Sequence, residues 1–354
     1  MVRRLRRSVG PLDLRSQAIL RAVIEDYVST AVPVGSQALV ERYRIGVSSA
    51  TVRNVLAELE VEGFLTHPHT SAGRIPTDEG YRWYVESIID SALMPDVNQL
   101  MIRHQFGQVE FASEQWFRLA ASTIASLTRA AGLATPAKPA SARVRRIDLV
   151  SINERLASLV TILREGPIKQ SLVTLATGED QTALTVVAGV LNEVVAGRSA
   201  SQIEAAIRRL DPELPYAGLI ARVGERIVRT LRDYDTEAVE EVFSDGLLNV
   251  MGAPEFAQSE KLRRVFSALE NRAYLGELVG RVAASGAVNV FIGHENIAPD
   301  MREVALVLAP YGRPGRAVGV VGVLGPTRLA YSEAIGTVRF VSGLMNELVD
   351  HLYD

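Results

Sequence analysis

The sequence predicts a multidomain protein of the α+β class, in which an N-terminal winged helix-turn-helix precedes an α/β sheet domain with an inserted helical domain. Residues 34–80 run as helix, turn, helix and a hairpin punctuated by glycine and proline, the order of a winged helix-turn-helix. Strand-like runs lie on both sides of a charged, alanine-rich helical stretch at about 212–285. The length of 354 residues allows two or three domains.

The composition is that of an ordinary globular protein, with 47% hydrophobic and 22% charged residues. Cysteine is absent, which excludes disulfides, thiolate metal sites and a cysteine nucleophile, and which fits a reducing compartment. No apolar run has the length of a signal peptide core or of a membrane span. We therefore expect a soluble cytoplasmic protein without a membrane partner.

Charge is distributed unevenly along the chain, although the net charge is only −3. Residues 1–77 hold ten of the 38 basic residues and seven of the 41 acidic residues, so this part is positive and the remainder is negative. Positive charge is the sign that nucleic-acid phosphates attract. Four of the arginines fall within residues 3–7, where they form either a flexible arm on phosphates or a solvated tail.

The first two helices of the N-terminal region are predicted from their caps and breakers. Asp13 is a good N-cap for the first helix, which ends before Pro33 because the residue preceding proline is disfavoured in helical geometry. Ser36 caps a short second helix that extends to about Arg42. Residues 43–47 then form the turn into the third helix.

The third helix carries the first group of candidate DNA contacts. It begins at Ser48 or Ser49 and ends before Gly63, with a buried stripe of Val52, Val55, Leu56 and Leu59. On its other side, near the N-terminus, lie the residues predicted to contact DNA: Ser48, Ser49, Thr51, Arg53 and Asn54. Arginine can pair with guanine, asparagine with adenine, and hydroxyls with bases or phosphate. The alternative is that the hydroxyls only cap the helix and that Arg53 pairs with an acid.

The following hairpin carries the second group of candidate contacts. Residues 64–66 and 74–76 are predicted as its strands, and the residues predicted to meet phosphates are His67, His69, Thr70, Ser71 and Arg74. The two histidines, separated by Pro68, could instead bind a metal ion. They lack acidic or further histidine partners nearby, so no metal or cofactor is expected.

The rest of the chain predicts one sheet in two segments. Strand-like runs occupy 144–152, 155–163 and 168–176, and strands resume at 288–292, 305–309 and 318–324 before a final amphipathic helix. The glycines at 319, 322 and 325 do not form a phosphate loop, because no lysine follows at the required spacing. His294 and Glu295, if adjacent on a strand, would point to opposite faces and could not cooperate in catalysis. We expect no enzyme activity.

Residues 33–85 closely resemble the HrcA family of heat-inducible transcription repressors, most specifically in the ten residues PHTSAGRIPT. IGHEN at 292–296 and GPTRLAYS at 325–332 resemble C-terminal landmarks of the same family. The resemblance implies a DNA-binding domain over 1–90, a GAF-like domain over 96–211 and 286–354, and an inserted dimerising domain over 212–285. It also implies a homodimer that represses chaperone operons from an inverted repeat similar to CIRCE.

The same resemblance implies that chaperonin keeps the repressor active until heat diverts chaperonin to unfolded proteins. Two other classes of protein remain as alternatives. One is a regulator whose GAF-like domain senses a small ligand, which would show as a ligand-dependent melting shift. The other is an enzyme fused to a DNA-binding domain, which would require a catalytic constellation in the sheet domain.

Overall fold

The computed structural model describes residues 12–68, 73–109, 113–139, 141–164, 168–176, 179–236, 242–256, 259–313 and 317–353. The chain forms two compact units, the first from 1–136, 241–311 and 319–347, and the second from 137–240, 312–318 and 348–354. Helices and antiparallel sheets are mixed, which confirms the predicted α+β class at that level. Among the described residues, no helix has the length and apolar character needed to cross a membrane.

The N-terminal part of the first unit, here called the head, consists of four helices and a short hairpin: α1 (Leu14–Thr30), α2 (Ser36–Tyr43), α3 (Ser49–Val61), β1 (Leu65–Thr66), β2 (Ile75–Pro76) and α4 (Asp78–Ile88). As predicted, Asp13 caps α1, accepting a hydrogen bond of 2.7 Å from the Ser16 amide. The core of the head includes Leu20, Ile24, Leu39 and Leu59, all at most 1% exposed.

The chain continues in the first unit through α5 (Asp96–Gly107), α6 (Ser113–Thr128) and β3 (Ala131–Ala134), and it then forms the short β4 (Lys138–Pro139). β3 was not predicted, because the sequence Ala-Gly-Leu-Ala has little strand character. Its small residues allow a close approach to α6. A Cβ atom added to Gly132 would lie 1.9 Å from the backbone oxygen of Ala121.

The second unit is built around a three-stranded antiparallel sheet in the order β5–β6–β7, with helices packed on one face. Its elements are β5 (Val144–Asn153), β6 (Leu156–Leu163), β7 (Ile168–Thr174), α7 (Gln181–Val195), α8 (Ala200–Ile207) and α9 (Ala217–Thr236). Leu149 and Leu159 of the sheet share one apolar core with Leu184 of α7 and Val223 of α9.

The remaining elements are β8 (Phe243–Asp245), α10 (Leu247–Met251), α11 (Ser259–Glu270), α12 (Arg272–Ser285), β9 (Asn289–Ile292), β10 (Val304–Arg313), β11 (Ala317–Pro326) and α13 (Tyr331–Tyr353). They complete a central sheet in the order β8–β3–β11–β10–β9, with β4 paired to the start of β11. β3 pairs with residues 321–324 of β11, nearly two hundred positions later in the chain.

The domain boundaries differ from those predicted. Three predicted strands, at 144–152, 155–163 and 168–176, do form, but they make a sheet of their own instead of joining the central sheet. The unit that interrupts the central sheet is therefore 137–240 and not 212–285. Of the predicted insertion only α9 belongs to that unit, because its apolar face closes the core over β5–β7, whereas 241–285 belongs to the first unit.

Candidate nucleic-acid interface

The N-terminus of α3 is organised by Ser48. Its hydroxyl accepts a hydrogen bond of 3.2 Å from the Thr51 amide, which makes it the N-cap, one of the two residues predicted for that role. Val52, Val55, Leu56 and Leu59 are buried as predicted. The opposite side of the helix is exposed at Ala50, Arg53, Asn54, Ala57 and Glu58.

The five candidate contacts on α3 separate into two groups. Ser48 and Thr51 hold each other, with 2.9 Å between their side-chain oxygens, and Ser49 lies 2.9 Å from the Ser36 hydroxyl at the start of α2. These hydroxyls cap and brace the helices. Within the described part of the chain, the side chains of Arg53 and Asn54 form no hydrogen bond, so both present unused polar groups to solvent.

The hairpin that follows α3 has two residues in each strand, paired antiparallel with Leu65 opposite Pro76. Directly before β2, the Arg74 amide donates to the Val34 carbonyl at 2.9 Å, and the Val34 amide donates to the Arg74 carbonyl at 2.8 Å. The hairpin is thereby tied to the segment between α1 and α2. His69, Thr70 and Ser71, predicted to meet phosphates, lie outside the described residues.

Arg74 and His67 both contact one carboxylate on α3. The Arg74 guanidinium forms a salt bridge of 2.7 Å with Glu60, and the His67 Nδ1 atom contacts the other oxygen of the same carboxylate. Arg74 therefore lies directly before β2, about a quarter exposed, with its guanidinium turned toward α3. This geometry makes Arg74 a brace between the hairpin and α3. Across the described residues, no three histidine, aspartate or glutamate side chains are grouped to hold a metal ion.

The landmark at 292–296 has a role that the sequence did not suggest. Gly293, His294 and Glu295 form a short 3₁₀ turn after β9 instead of continuing a strand. The His294 amide and ring Nδ1 lie 2.9 Å and 2.7 Å from a carboxylate oxygen of Asp78, and Glu295 accepts a hydrogen bond of 2.7 Å from Arg82. Both residues thus contact α4 of the head.

The matching family model and the relatives that match over nearly the full length name the same family. The model described as "HrcA protein C terminal domain" matches residues 114–335. A heat-inducible transcription repressor HrcA of Roseiflexus castenholzii is 40% identical over 96% of this chain and 95% of its own length. The repressor of the same name from Chloroflexus aurantiacus is 39% identical over 97% and 95%. The chain belongs to the HrcA family.

Membership of the HrcA family confirms the resemblance seen in the sequence, and the relatives' names agree with the expectation that the chain is not an enzyme. A crystal structure of a hypothetical protein at 2.2 Å resolution shares the fold, with a TM-score of 0.64 and 22% identity over 97% of this chain and all of the other. Sequence reasoning did not single out Asp78 and Arg82, the two residues through which α4 contacts the turn at 293–295. Asp78 and Arg82 belong to residues 33–85, which resemble the family, and their partners lie in the second such segment, 292–296. There His294 faces Asp78 and Glu295 faces Arg82.

Because Arg74 pairs with Glu60, removing the Arg74 side chain should affect the stability of the head more than its contact with DNA. Arg74→Ala is expected to lower the free energy of unfolding by about 1–3 kcal/mol, because Glu60 loses its charged partner. A phosphate contact would instead reduce the salt dependence of DNA binding by about one unit. Urea unfolding and salt titrations of operator binding separate the two roles. Glu60→Gln is the matched control and should reproduce the stability loss. A reduced salt slope with unchanged stability would contradict the bracing role.

Proposed function

We propose that the protein is a sequence-specific DNA-binding repressor, with the head acting as a winged helix-turn-helix and α3 entering the major groove of the operator. The observation that carries the proposal is the exposed and unengaged pair Arg53 and Asn54 near the N-terminus of α3. A guanidinium and an amide are the groups best suited to guanine and adenine, and the helix N-terminus offers backbone donors to phosphate. The relatives are named heat-inducible transcription repressors, which supports a role of this protein in the heat-shock response.

The operator is proposed to be an inverted repeat similar to CIRCE, bound by a homodimer, since a two-fold protein presents two copies of α3 to two half-sites. The central sheet with its helices is proposed as the GAF-like domain, and 137–240 as its inserted domain. The sequence assigned dimerisation to 212–285. We move dimerisation to the second unit, because the sheet face away from the helices exposes large apolar side chains next to the ion pair of Arg146 and Asp148.

That face contains three large apolar side chains that are about half exposed or more: Val150, Ile168 and Leu172. Val150 and Leu172 are both paired with Ser158 on the central strand, so they lie on the same face of the sheet. Apolar groups grouped on one face are a common mark of a protein interface. A second copy of the chain can cover this face through a two-fold axis.

Ile168→Glu combined with Leu172→Glu is expected to convert the dimer to a monomer at micromolar concentration, because the charges would be buried without partners in the interface. Sedimentation velocity measures the change. Leu248→Glu is the control, since Leu248 is 78% exposed in the first unit, and it should leave the dimer intact. A double variant that sediments with the parent would exclude this face as the interface.

Chaperonin is proposed to maintain the active repressor and to be diverted by unfolded proteins on heat shock. The central sheet supports this, because β3 pairs with residues 321–324 of β11 and the sheet closes only through contacts distant in sequence. Such topologies fold slowly and expose apolar surface on the way, which makes them chaperonin clients.

The test is a gel shift with an inverted-repeat operator and a scrambled control, after refolding with and without chaperonin, ATP and cochaperonin. We expect selective binding of the inverted repeat, a larger binding fraction after assisted refolding, and loss of that gain when another unfolded protein is in excess. Equal binding to the scrambled DNA would contradict the DNA-binding proposal. Full operator binding after unassisted refolding at heat-shock temperature would contradict only the chaperonin mechanism.

A further inference from the structure

Helix α4 of the head is held at three places by residues that follow more than 200 positions later in the chain. These contacts lie within the first unit and join the head to the central sheet and α13. We call them the clamp: Asp78 with Gly293–Glu295, Arg82 with Glu295, and Arg339 with the segment after α4.

At the start of α4, the turn at 293–295 fits closely around Asp78. Gly293 has a φ of +51°, and a Cβ atom added there would lie 2.2 Å from the Asp78 carboxylate. Only glycine allows this approach without displacing the carboxylate. Asp78 in turn accepts the His294 amide, so the first residue of the helix is joined to the turn by the backbone of its partner.

One turn further along α4, Arg82 contacts two residues that follow α12 in the sequence, Val290 and Glu295. Its guanidinium forms a two-pronged ion pair with Glu295 and donates to the Val290 carbonyl at 2.6 Å. Two-pronged pairs of this kind restrict orientation as well as distance. Beside them, the rings of Tyr81 and Tyr331 pack at 5.6 Å between centroids, both at most 2% exposed. Burial raises the pKa of both phenols well above the ordinary value, so the aromatic pair stays uncharged.

Beyond the C-terminal end of α4, Arg339 of α13 donates to the carbonyls of Ile89 and Ala92. Carbonyls in the last turn of a helix and just after it lack partners within the helix, and a guanidinium satisfies them well. α4 is therefore held at both ends and along its buried face. A helix held in this way can neither swing nor rotate without breaking charge-assisted hydrogen bonds.

We propose that the clamp fixes the direction in which α3 faces and thereby sets the half-site spacing that a dimer accepts. The inference rests on the proposed function, because spacing has meaning only for a dimer on an inverted repeat. Asp78, Arg82, Glu295 and Arg339 are positioning residues in this role. They do not contact DNA; they determine where Arg53 and Asn54 are presented.

The orientation of the head is tested without DNA. The natural chain has no cysteine, so spin labels can be placed at Val61→Cys in α3 and Leu248→Cys in α10, both highly exposed positions. Labelled protein diluted into excess cysteine-free chain reports distances within one chain by pulsed electron resonance. We expect a narrow distribution of the distance between the two labels when the clamp is intact. The distribution should be broad in the double variant Arg82→Ala/Glu295→Ala and in Arg339→Ala. The control Arg281→Ala/Glu277→Ala removes an exposed ion pair of α12 and should stay narrow.

The spacing is tested with inverted repeats whose central spacer is lengthened or shortened base pair by base pair. The parent and the control should prefer one spacing by about tenfold or more, because only matched geometry lets both heads bind at once. In both clamp variants the preference should fall to about twofold, with single half-site affinity unchanged. A narrow distribution in the clamp variants, or a broad one with an unchanged spacing preference, would overturn the proposal. Failure of the parent to select any inverted repeat would refute the proposed function. The distance measurement needs no DNA, so it would still test whether the clamp fixes the orientation of the head.

Discussion

Gly132→Ala is expected to reduce the free energy of unfolding of the first unit by about 3 kcal/mol or more, because the added methyl group overlaps the backbone of α6. A Cβ atom at this position would lie 1.9 Å from the Ala121 oxygen and 2.9 Å from the Ala125 nitrogen. Relief requires α6 to move away from β3, since no side-chain rotation can provide it. For a unit of this size, the melting temperature measured by circular dichroism should fall by roughly 6–12 °C.

Gly189→Ala is the matched control for that substitution. Gly189 is exposed within α7, and no heavy atom lies within 4 Å of a Cβ atom added there. Alanine should therefore raise the free energy of unfolding of the second unit, which contains α7, by about 0.5–1 kcal/mol, since it favours the helix and restricts the unfolded chain. If Gly132→Ala melted together with the parent protein, the close packing of β3 on α6 would be contradicted.

Arg53→Ala and Asn54→Ala are each expected to weaken binding of a full operator by roughly 2–6 kcal/mol, at least about 30-fold. One base contact is worth about 1–3 kcal/mol, and a dimer loses the contact in both half-sites. Each variant should also tolerate more bases at one symmetric pair of operator positions. Quantitative gel shifts on a set of operators with single base-pair changes measure both effects.

Arg15→Ala controls for the loss of positive charge, because Arg15 is exposed on α1 rather than on α3. It should weaken all DNA sequences equally or not at all. If Arg53→Ala and Asn54→Ala both bound the operator like the parent, α3 would not be the helix that contacts bases.

Local structure was largely predictable from the sequence, and strand partnership was not. The alternation of apolar residues identified β6 correctly, and the caps at Asp13 and Ser48 located two helices. Alternation gives no information on which distant strand completes a sheet. The sequence analysis therefore assigned β5–β7 to the central sheet. It did not predict β3, because the small side chains of β3 allow close packing on α6 but have little strand propensity.

The candidate interface shows the same division. Residue type and helical periodicity identified the exposed side of α3, where Arg53 and Asn54 lie. The direction of the Arg74 side chain depends on Glu60, fourteen residues earlier and in another element, which no local pattern specifies. His294 and Glu295 were considered as catalytic groups because their chemistry is visible in sequence, whereas their partners on α4 are known only from the fold.

The tyrosine pair between α4 and α13 bears on how the DNA specificity of such proteins can be exchanged. Tyr81 is 2% exposed, and the ring of Tyr331 packs against it. A head transplanted onto an unrelated carrier would expose this aromatic surface to water, and a foreign head placed here would lack the matching contour. New specificity is therefore more readily engineered by replacing the few exposed side chains of α3 than by swapping the head as a cassette.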